Sequence, residues 1–280
     1  MALGALLFDV DGTLADTEAQ GHRPAYNRAF AAYGLDWHWT PEVYTKLLPI
    51  SGGMQRIRYF IDAYQPWLGD NETAFRINSN AWIRALHQLK AHFFRQQLAS
   101  GWVRLRPGVL RVLEHALESG LCFGLVSNAS RATVEAVYHY CVKNVLGDVA
   151  SIIVTGDDTP RPKPDPASYT LACQQLNMRP DRALAIEDSP IGLQSARAAG
   201  VPTLITTSEE TRQRSFPGAL AVVDSLDDPG RQVGDGIHIG AFERVDLDIL
   251  RMLHGRRHFQ NRLPKTASQQ RQNFLPIQSD

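Results

Sequence analysis

The chain has 280 residues, and its 29 basic and 29 acidic side chains give a formal net charge of zero. This balance argues against a general nucleic-acid or membrane surface, and no apolar stretch reaches transmembrane length. Three widely spaced cysteines have no metal-ligand spacing, and no secretory signal opens the chain. We therefore expect a monomeric, cytoplasmic protein with reduced thiols and a small-molecule substrate.

A short apolar run over Ala5–Phe8 predicts a buried strand, and Asp9 follows it with no turn residue between. Asp11, Gly12 and Thr13 come next. Two carboxylates this close repel each other unless a cation or a shared proton compensates. Taken alone, the motif fits two interpretations: a strand that ends in an Asp-Gly turn, or a Mg²⁺ site in which one carboxylate is ligand and nucleophile and the other handles the proton.

Helical patterns dominate the next hundred residues. Residues 16–33 predict a linker entering a helix, residues 37–48 a mostly helical region, and residues 75–98 a helix rich in basic side chains. Between them, Gly52-Gly53 breaks the pattern and Arg56 follows. Free backbone N–H groups at a helix start and a forked guanidinium suit an anion, although a plain corner between two helices fits equally well.

From residue 106 onward, strands and helices alternate every 25 to 30 residues, which predicts an α/β fold with a parallel sheet. The predicted strands are residues 122–126, 152–154, 183–186 and 201–205. The predicted helices are residues 109–118, 131–138, a helix with Asp165 as N-cap and Pro166 as first residue, a helix opened by Ser189-Pro190, and residues 245–253. Residues 256–280 are polar, and we expect them to be disordered.

Parallel sheets bind ligands at the carboxyl ends of their strands, and polar side chains follow four of the predicted strands. The set consists of Asp9 and Asp11, Ser127 and Asn128, Lys163, and Glu187 and Asp188. Each type has a role in phosphoryl transfer: Asp9 can attack phosphorus, Asp11 can protonate the leaving oxygen, and Ser127 and Lys163 can hold phosphoryl oxygens. Each motif alone has a simpler explanation: Ser127 can be a helix cap, Lys163 a solvated loop lysine, and Glu187-Asp188 a strand-end turn. Their appearance together in this order at four strand ends favours a catalytic site.

These residues resemble the haloacid dehalogenase superfamily of phosphohydrolases. The matching motifs are Asp9-Val-Asp-Gly-Thr13, Ser127-Asn128, Lys163-Pro-Asp-Pro166 and Glu187-Asp188-Ser189. The resemblance implies a Rossmann-like core over residues 1–16 and 103–228, with a helical cap inserted over residues 17–102. It implies catalytic roles for Asp9, Asp11, Thr13 and Lys163, and Mg²⁺ held by Asp9, the Asp11 carbonyl and Asp188, with Glu187 beside them. Residues 229–280 form an extension without an assigned role.

Further segments look like the CbbY branch of that superfamily. They include Asp16-Thr-Glu, Gly21-His-Arg23, Gly52-Gly53, Leu105-Arg-Pro-Gly108 and Ile186-Glu-Asp-Ser189. The branch implies a phosphatase acting on xylulose-1,5-bisphosphate, a dead-end inhibitor of the carbon-fixing carboxylase. By position, the substrate contacts would be Glu18, His22, Gly52, Gly53, Met54, Gln55, Arg56, His87, Lys90, Ser127, Asn128, Ala129, Ser130 and Arg131.

Two departures from the branch concern the substrate. The chain reads Pro160-Arg-Pro-Lys163 where the branch has several lysines, and Met54-Gln55 where it often has Lys-Glu. Three hypotheses follow: a Mg²⁺-dependent sugar-bisphosphate phosphatase, a mutase of the β-phosphoglucomutase kind, or a binding protein on the same fold. Free phosphate as product would indicate the first, and an isomeric sugar phosphate the second. A phosphoglycolate-type phosphatase is the alternative substrate class.

Overall fold

A six-stranded parallel sheet forms the centre of the computed structural model, which describes residues 2–50, 52–230 and 242–260, the side chains of 256–260 excepted. The strands are β1 (Ala5–Phe8), β2 (Cys122–Val126), β3 (Ile152–Val154), β4 (Ala183–Glu187), β5 (Thr203–Thr206) and β6 (Ala221–Val223). Their order across the sheet is β3-β2-β1-β4-β5-β6, and each neighbouring pair is parallel. The predicted α/β class is therefore confirmed.

Helices cover both faces of the sheet and fill the long connection between β1 and β2. They are α1 (Arg23–Ala32), α2 (Pro41–Leu47), α3 (Gly53–Tyr64), α4 (Glu72–Ile77), α5 (Ser79–Ala99), α6 (Val109–Glu118), α7 (Arg131–Val137), α8 (Asn144–Leu146), α9 (Ala167–Gln175), α10 (Pro190–Ala198) and α11 (Leu247–Gln260). Two π-helical turns, Glu18–His22 and Tyr138–Lys143, precede α1 and follow α7. No described helix is both long and apolar enough to cross a membrane.

Strand β1 is apolar throughout because both of its faces are covered. Successive side chains point to opposite faces, so Leu6 and Phe8 join one hydrophobic cluster while Ala5 and Leu7 join another. The first cluster contains residues of α6 and α11, and the second contains residues of α9. All four side chains are fully buried. This double burial fixes where β1 ends, and so fixes the position of Asp9.

The helices between β1 and β2 have a hydrophobic cluster of their own. It contains Tyr26, Phe30, Trp37, Trp39 and Leu86, with the aromatic rings in edge or tilted contact. The two linkers that join these helices to the sheet pair with each other through a bridge between Ala15 and Leu105. The inserted cap over residues 17–102 remains a prediction.

Most predicted elements of the sheet region are confirmed, but four predictions in the chain were wrong in detail. Trp37 and Trp39 lie before α2 in a segment that is neither helix nor strand, since their apolar character reflects burial among aromatic rings rather than helical periodicity. The helix predicted over 75–98 is interrupted at Asn78, whose side chain caps α5 by accepting from the Ala81 amide. Pro166 is the N-cap of α9, not its first residue. The strand predicted over 201–205 is Thr203–Thr206, and β6 was not predicted.

The last described helix, α11, is longer than predicted and reaches into the segment expected to be disordered. Residues 261–280, the rest of that segment, lie outside the described part of the chain. Leu250 and Leu253 of α11 are fully buried and belong to the cluster that packs on β1. The three cysteines are free thiols, and two of them, Cys141 and Cys173, are buried.

We expect Leu250→Ala to lower the free energy of unfolding by about 2–5 kcal/mol, because it leaves a cavity in the main core. Arg251→Ala, one residue away on the exposed side of α11, is the control and should change it by less than about 0.5 kcal/mol. Urea unfolding followed by circular dichroism measures both. Equal effects of the two substitutions would contradict a structural role for α11.

Candidate active site

The polar residues predicted at the strand ends lie together at one edge of the sheet. Asp9 directly follows β1, Ser127 directly follows β2, and Glu187 is the last residue of β4. Since β1 lies between β2 and β4, the three strand ends are neighbours. This is the edge at which open α/β sheets bind ligands.

Three buried carboxylates form the centre of the site. Asp9, Glu187 and Asp188 each offer one oxygen, and these oxygens all lie within 4.8 Å of one another. Burial raises the pKa of Asp9 to about 7, with Lys163 opposing the rise. Burial, Asp9 and Glu187 together raise the pKa of Asp188 well above its usual range. The arrangement brings Asp9 and Asp188 close enough to share one ion.

Lys163 is the cation closest to this group. Its Nζ donates at 2.7 Å to Asp9 Oδ1, at 2.7 Å to Glu187 Oε1 and at 2.7 Å to the Val126 carbonyl. Although burial lowers the pKa of Lys163, the Asp9 and Glu187 carboxylates raise it above its usual value. Lys163 is therefore an ammonium whose three protons are all used, and it balances one of the three carboxylate charges.

The donor set fits a divalent cation. Hard cations prefer carboxylate oxygens. The two carboxylate charges that Lys163 does not balance equal in size the charge of one divalent cation. The oxygens of Glu187 already accept from Lys163, from Tyr169 OH at 2.8 Å and from Ser189 Oγ at 3.2 Å. This leaves Asp9 and Asp188 as the better-placed ligands, and gives Glu187 the task of holding Lys163.

Asp11 faces a different set of neighbours. Its Oδ1 accepts from Thr17 Oγ1 at 2.6 Å and from His22 Nε2 at 3.2 Å, while Lys90 Nζ lies 2.8 Å from His22 Nδ1. Burial alone would raise the pKa of Asp11, but the hydrogen bonds from His22 and Thr17 lower it to about 2. Asp11 is thus joined through His22 to Lys90 on α5. The π-helical turn that carries His22 is a local irregularity typical of functional sites.

A second chain of polar contacts links Glu18 to α3. Tyr44 OH donates to Glu18, and Arg56 Nη1 donates to Tyr44 OH at 2.9 Å. The Nε of Arg56 is buried and has no partner among the described residues. Arg56 therefore has one buried N–H that no described group accepts.

The glycines before α3 permit close packing at its start. A Cβ on Gly53 would lie 2.2 Å from His87 Nε2 and 2.8 Å from Tyr26 OH, and Gly52 has a φ of +90°. Larger residues would separate α3 from α5. Burial, with Lys90, His22 and Arg56, lowers the pKa of His87 to about 4, so this ring is neutral at pH 7.

Three further predicted residues differ in their hydrogen-bond partners. Asn128 holds the backbone of Lys163, accepting from its amide at 2.8 Å and donating to its carbonyl at 3.3 Å. Ser127 Oγ lies 3.5 Å from Asp11 Oδ2 and accepts from the Ala129 amide. The hydroxyl of Thr13 is buried without a partner among the described residues.

Four predicted substrate contacts make no hydrogen bond among the described residues to the carboxylates of the site. Ser130 bonds with Thr133, and the Arg131 guanidinium pairs with Glu135 and Asp158. Met54 and Gln55 line a shallow cavity of about 210 Å³ with residues of α3 and α5.

Sequence reasoning missed Tyr44, Tyr169 and Arg106 as parts of the site. Tyr44 was predicted only as part of a mostly helical region, Tyr169 was not singled out, and Arg106 was noted only within the Leu105-Arg-Pro-Gly108 segment that resembles the CbbY branch. Only the folded chain brings their polar atoms to Glu18, to Glu187 and to the Gly12 carbonyl.

Comparison with known proteins agrees with this geometry. Residues 3–200 match the family model of the haloacid dehalogenase-like hydrolases, and the chain belongs to that family. Within it, the chain belongs to the CbbY group. It is 37% identical to protein CbbY of Cupriavidus necator over 89% of this chain and 96% of that protein, and 41% identical to protein CbbY of Rhodobacter capsulatus over 78% and 92%.

Solved structures give the same result. The crystal structure of CbbY from Rhodobacter sphaeroides in complex with phosphate is 36% identical, with a TM-score of 0.69 over 80% of this chain and 94% of that one. An aspartate-to-asparagine mutant of the same protein, in complex with xylulose-1,5-bisphosphate, is 35% identical over the same shares, also with a TM-score of 0.69.

Lys90→Met is expected to stabilise the fold by roughly 1–3 kcal/mol at pH 7, because it removes an unfavourably buried ammonium, while the loss of the 2.8 Å contact with His22 Nδ1 offsets part of the gain. Burial lowers the pKa of Lys90 from 10.5 to about 7, so the unfolded chain binds more protons between these values. The destabilisation by Lys90 is complete below about pH 7 and is lost as the pH rises toward 10.5. The gain from the substitution should shrink accordingly.

Urea unfolding at a series of pH values from 6 to 10 measures this gain. Lys46→Met, an exposed lysine of α2, is the matched control and should show no such trend. A gain that grows with pH would contradict the assigned pKa shift.

Proposed function

We propose that this enzyme, a phosphoric monoester hydrolase of its family, is a Mg²⁺-dependent phosphatase of a small sugar bisphosphate, with xylulose-1,5-bisphosphate as the preferred substrate. The observation that carries the proposal is the buried group of Asp9, Asp188 and Lys163. The helical side of the site adds the cations Arg56 and Lys90, with the Glu18 carboxylate joined to Arg56 through Tyr44. The CbbY relative that binds xylulose-1,5-bisphosphate supports the choice of substrate.

Asp9 and Asp188 are the side chains that would hold Mg²⁺, with the Asp11 carbonyl as the third protein ligand that the family implies. Bound there, the ion supplies positive charge that neutralises the phosphoryl group, so that an anionic carboxylate can approach an anionic ester. It would also lower the raised pKa of Asp9, since a nearby cation favours the ionised form.

Asp9 then attacks phosphorus and forms an aspartyl-phosphate, with the sugar oxygen leaving. Asp11 gives a proton to that oxygen and later takes one from the water that hydrolyses the intermediate. In the free protein the two pKa values, about 7 for Asp9 and about 2 for Asp11, are in the reverse order to these roles. Bound substrate would raise the pKa of Asp11 toward the value that an acid needs, because a phosphoryl dianion beside a carboxylate disfavours its ionised form.

Lys163 keeps Asp9 in place during both steps. Its protons are committed to Asp9, Glu187 and the Val126 carbonyl, so it acts on the nucleophile rather than as a free phosphate ligand. Ser127, 3.5 Å from Asp11, is the hydroxyl best placed for phosphoryl oxygens.

The second phosphate of a bisphosphate would bind at the helical side of the site. Arg56 has a buried free donor there, and Lys90 adds an ammonium that becomes fully charged when an anion raises its pKa. We propose that residues 17–102 act as a cap that closes over the substrate and excludes water from the reacting end. The free thiols agree with the cytoplasmic location proposed from the sequence.

Phosphate release tests the substrate. The panel contains xylulose-1,5-bisphosphate, ribulose-1,5-bisphosphate, phosphoglycolate and β-glucose-1-phosphate, each with and without Mg²⁺. We expect the highest kcat/KM for the first compound and no turnover in the presence of a chelator. Preference for either of the last two would overturn the substrate, and an isomeric sugar phosphate as product would indicate a mutase.

The Asp9→Asn substitution tests the nucleophile. It should lower kcat by at least about 10³-fold, because the carboxylate forms the covalent bond. Asp62→Asn removes a charge from an exposed position of α3 and should leave kcat unchanged. Near-normal turnover by Asp9→Asn would refute the mechanism.

A further inference from the structure

Arg106 lies in the linker that returns from the inserted helices to the sheet, and the proposed mechanism gives it no task. Its guanidinium donates to three backbone carbonyls: Gly12 at 2.5 Å, Thr207 at 2.7 Å and Asp224 at 2.8 Å. These carbonyls belong to the loops that follow β1, β5 and β6. One half-buried side chain therefore joins three strand ends.

Two of these loops touch Asp188. Gly12 has a φ of +80°, and a Cβ there would lie 2.6 Å from Asp188 Oδ2. Ser208, the residue after Thr207, would lie 3.4 Å from the same Cβ, and Thr211 Oγ1 lies 3.5 Å from Asp188 Oδ2. A shift of either loop by a few tenths of an ångström would therefore move the surroundings of this carboxylate.

The backbone of Arg106 belongs to the pair of linkers. Its amide donates to the Leu14 carbonyl at 3.0 Å, and the Asp16 amide donates to the Arg104 carbonyl at 3.1 Å. The Gly12 amide in turn donates to the Ala15 carbonyl at 3.0 Å. The linker pair and the loop that carries Asp11 are thus one hydrogen-bonded unit, which the Arg106 side chain extends to β5 and β6.

We propose that Arg106 is a positioning residue that holds the Gly12 and Thr207 loops against Asp188, and so keeps Asp188 at the distance from Asp9 that one shared divalent cation requires. The inference rests on the proposed function for its consequence in turnover. Three diverging carbonyls need the planar fork of a guanidinium, which the compact ammonium of lysine does not reproduce.

Arg106→Gln and Arg106→Lys test the proposal, and Arg111→Gln is the matched control. Arg111 is also half-buried, and it bonds Asp227 and the carbonyls of Leu226 and Val245, none of which touches the carboxylates. Isothermal titration with MgCl₂ gives the Kd of each protein without any substrate. Turnover of the sugar bisphosphate gives kcat and KM, and thermal unfolding gives Tm.

Loss of an outer residue that orients metal ligands typically weakens metal binding 10–100-fold. We therefore expect both Arg106 variants to raise the Kd for Mg²⁺ about tenfold or more and to lower kcat, with KM changed less than about twofold. Arg111→Gln should change Tm alone. Adding methylguanidinium to Arg106→Ala should restore part of the Mg²⁺ affinity, and it should not affect Arg111→Ala.

Several outcomes would overturn the proposal: an unchanged Kd for Mg²⁺ in Arg106→Gln, full function of Arg106→Lys, or equal losses in the Arg106 and Arg111 variants that follow Tm. The titrations need no substrate. If the wild-type protein released no phosphate from any sugar phosphate, the proposed function would fail while the effect of Arg106 on Mg²⁺ affinity would still be decided.

Discussion

Three carboxylates share one buried site with a single ammonium, and the rest of the site follows from this imbalance. Isolated buried charges are strongly unfavourable, and like charges in contact are worse. Lys163 removes one charge by bonding Asp9 and Glu187. The remaining charge requires either protons, as the raised pKa values of Asp9 and Asp188 indicate, or a divalent cation. A divalent cation would satisfy the charge balance of this site without protonation of its carboxylates.

The sheet supports such a site because its stability comes from elsewhere. Strands β1 and β4 are buried on both faces by apolar clusters, so their ends are fixed whatever the polar residues prefer. The three carboxylates and Lys163 then sit on rigid supports from β1, β4 and the loop after β3. Burial that would be unfavourable in an isolated loop is enforced here by the hydrophobic packing below it.

The sequence indicated those parts of the site that depend on local pattern. An apolar run followed at once by a carboxylate marks a strand end, and the position of strand ends in a parallel sheet is general. The residues found at strand ends were Asp9, Asp11, Ser127, Asn128, Glu187 and Asp188, and Lys163 was found in the segment that follows the third strand. Contacts across distant segments have no local pattern: Tyr44 reaches Glu18, and Tyr169 reaches Glu187, only through packing. The segment of Trp37 and Trp39 was wrongly predicted to be helical, because aromatic density reports burial, whatever the backbone conformation.

The two sides of the site differ in the charges that they bring together. On the sheet side, anionic residues exceed cationic ones, so a phosphate can react there only with a bound cation. On the helical side, Arg56 and Lys90 lie near a neutral His87, and Lys90 has a pKa near 7 that an anion would raise. Glu18 balances part of this charge, since it raises the pKa of Lys90 and is joined through Tyr44 to Arg56. In the proposed function a bisphosphate would use both sides, because its distal phosphate would keep Lys90 charged while the reacting phosphate meets Asp9.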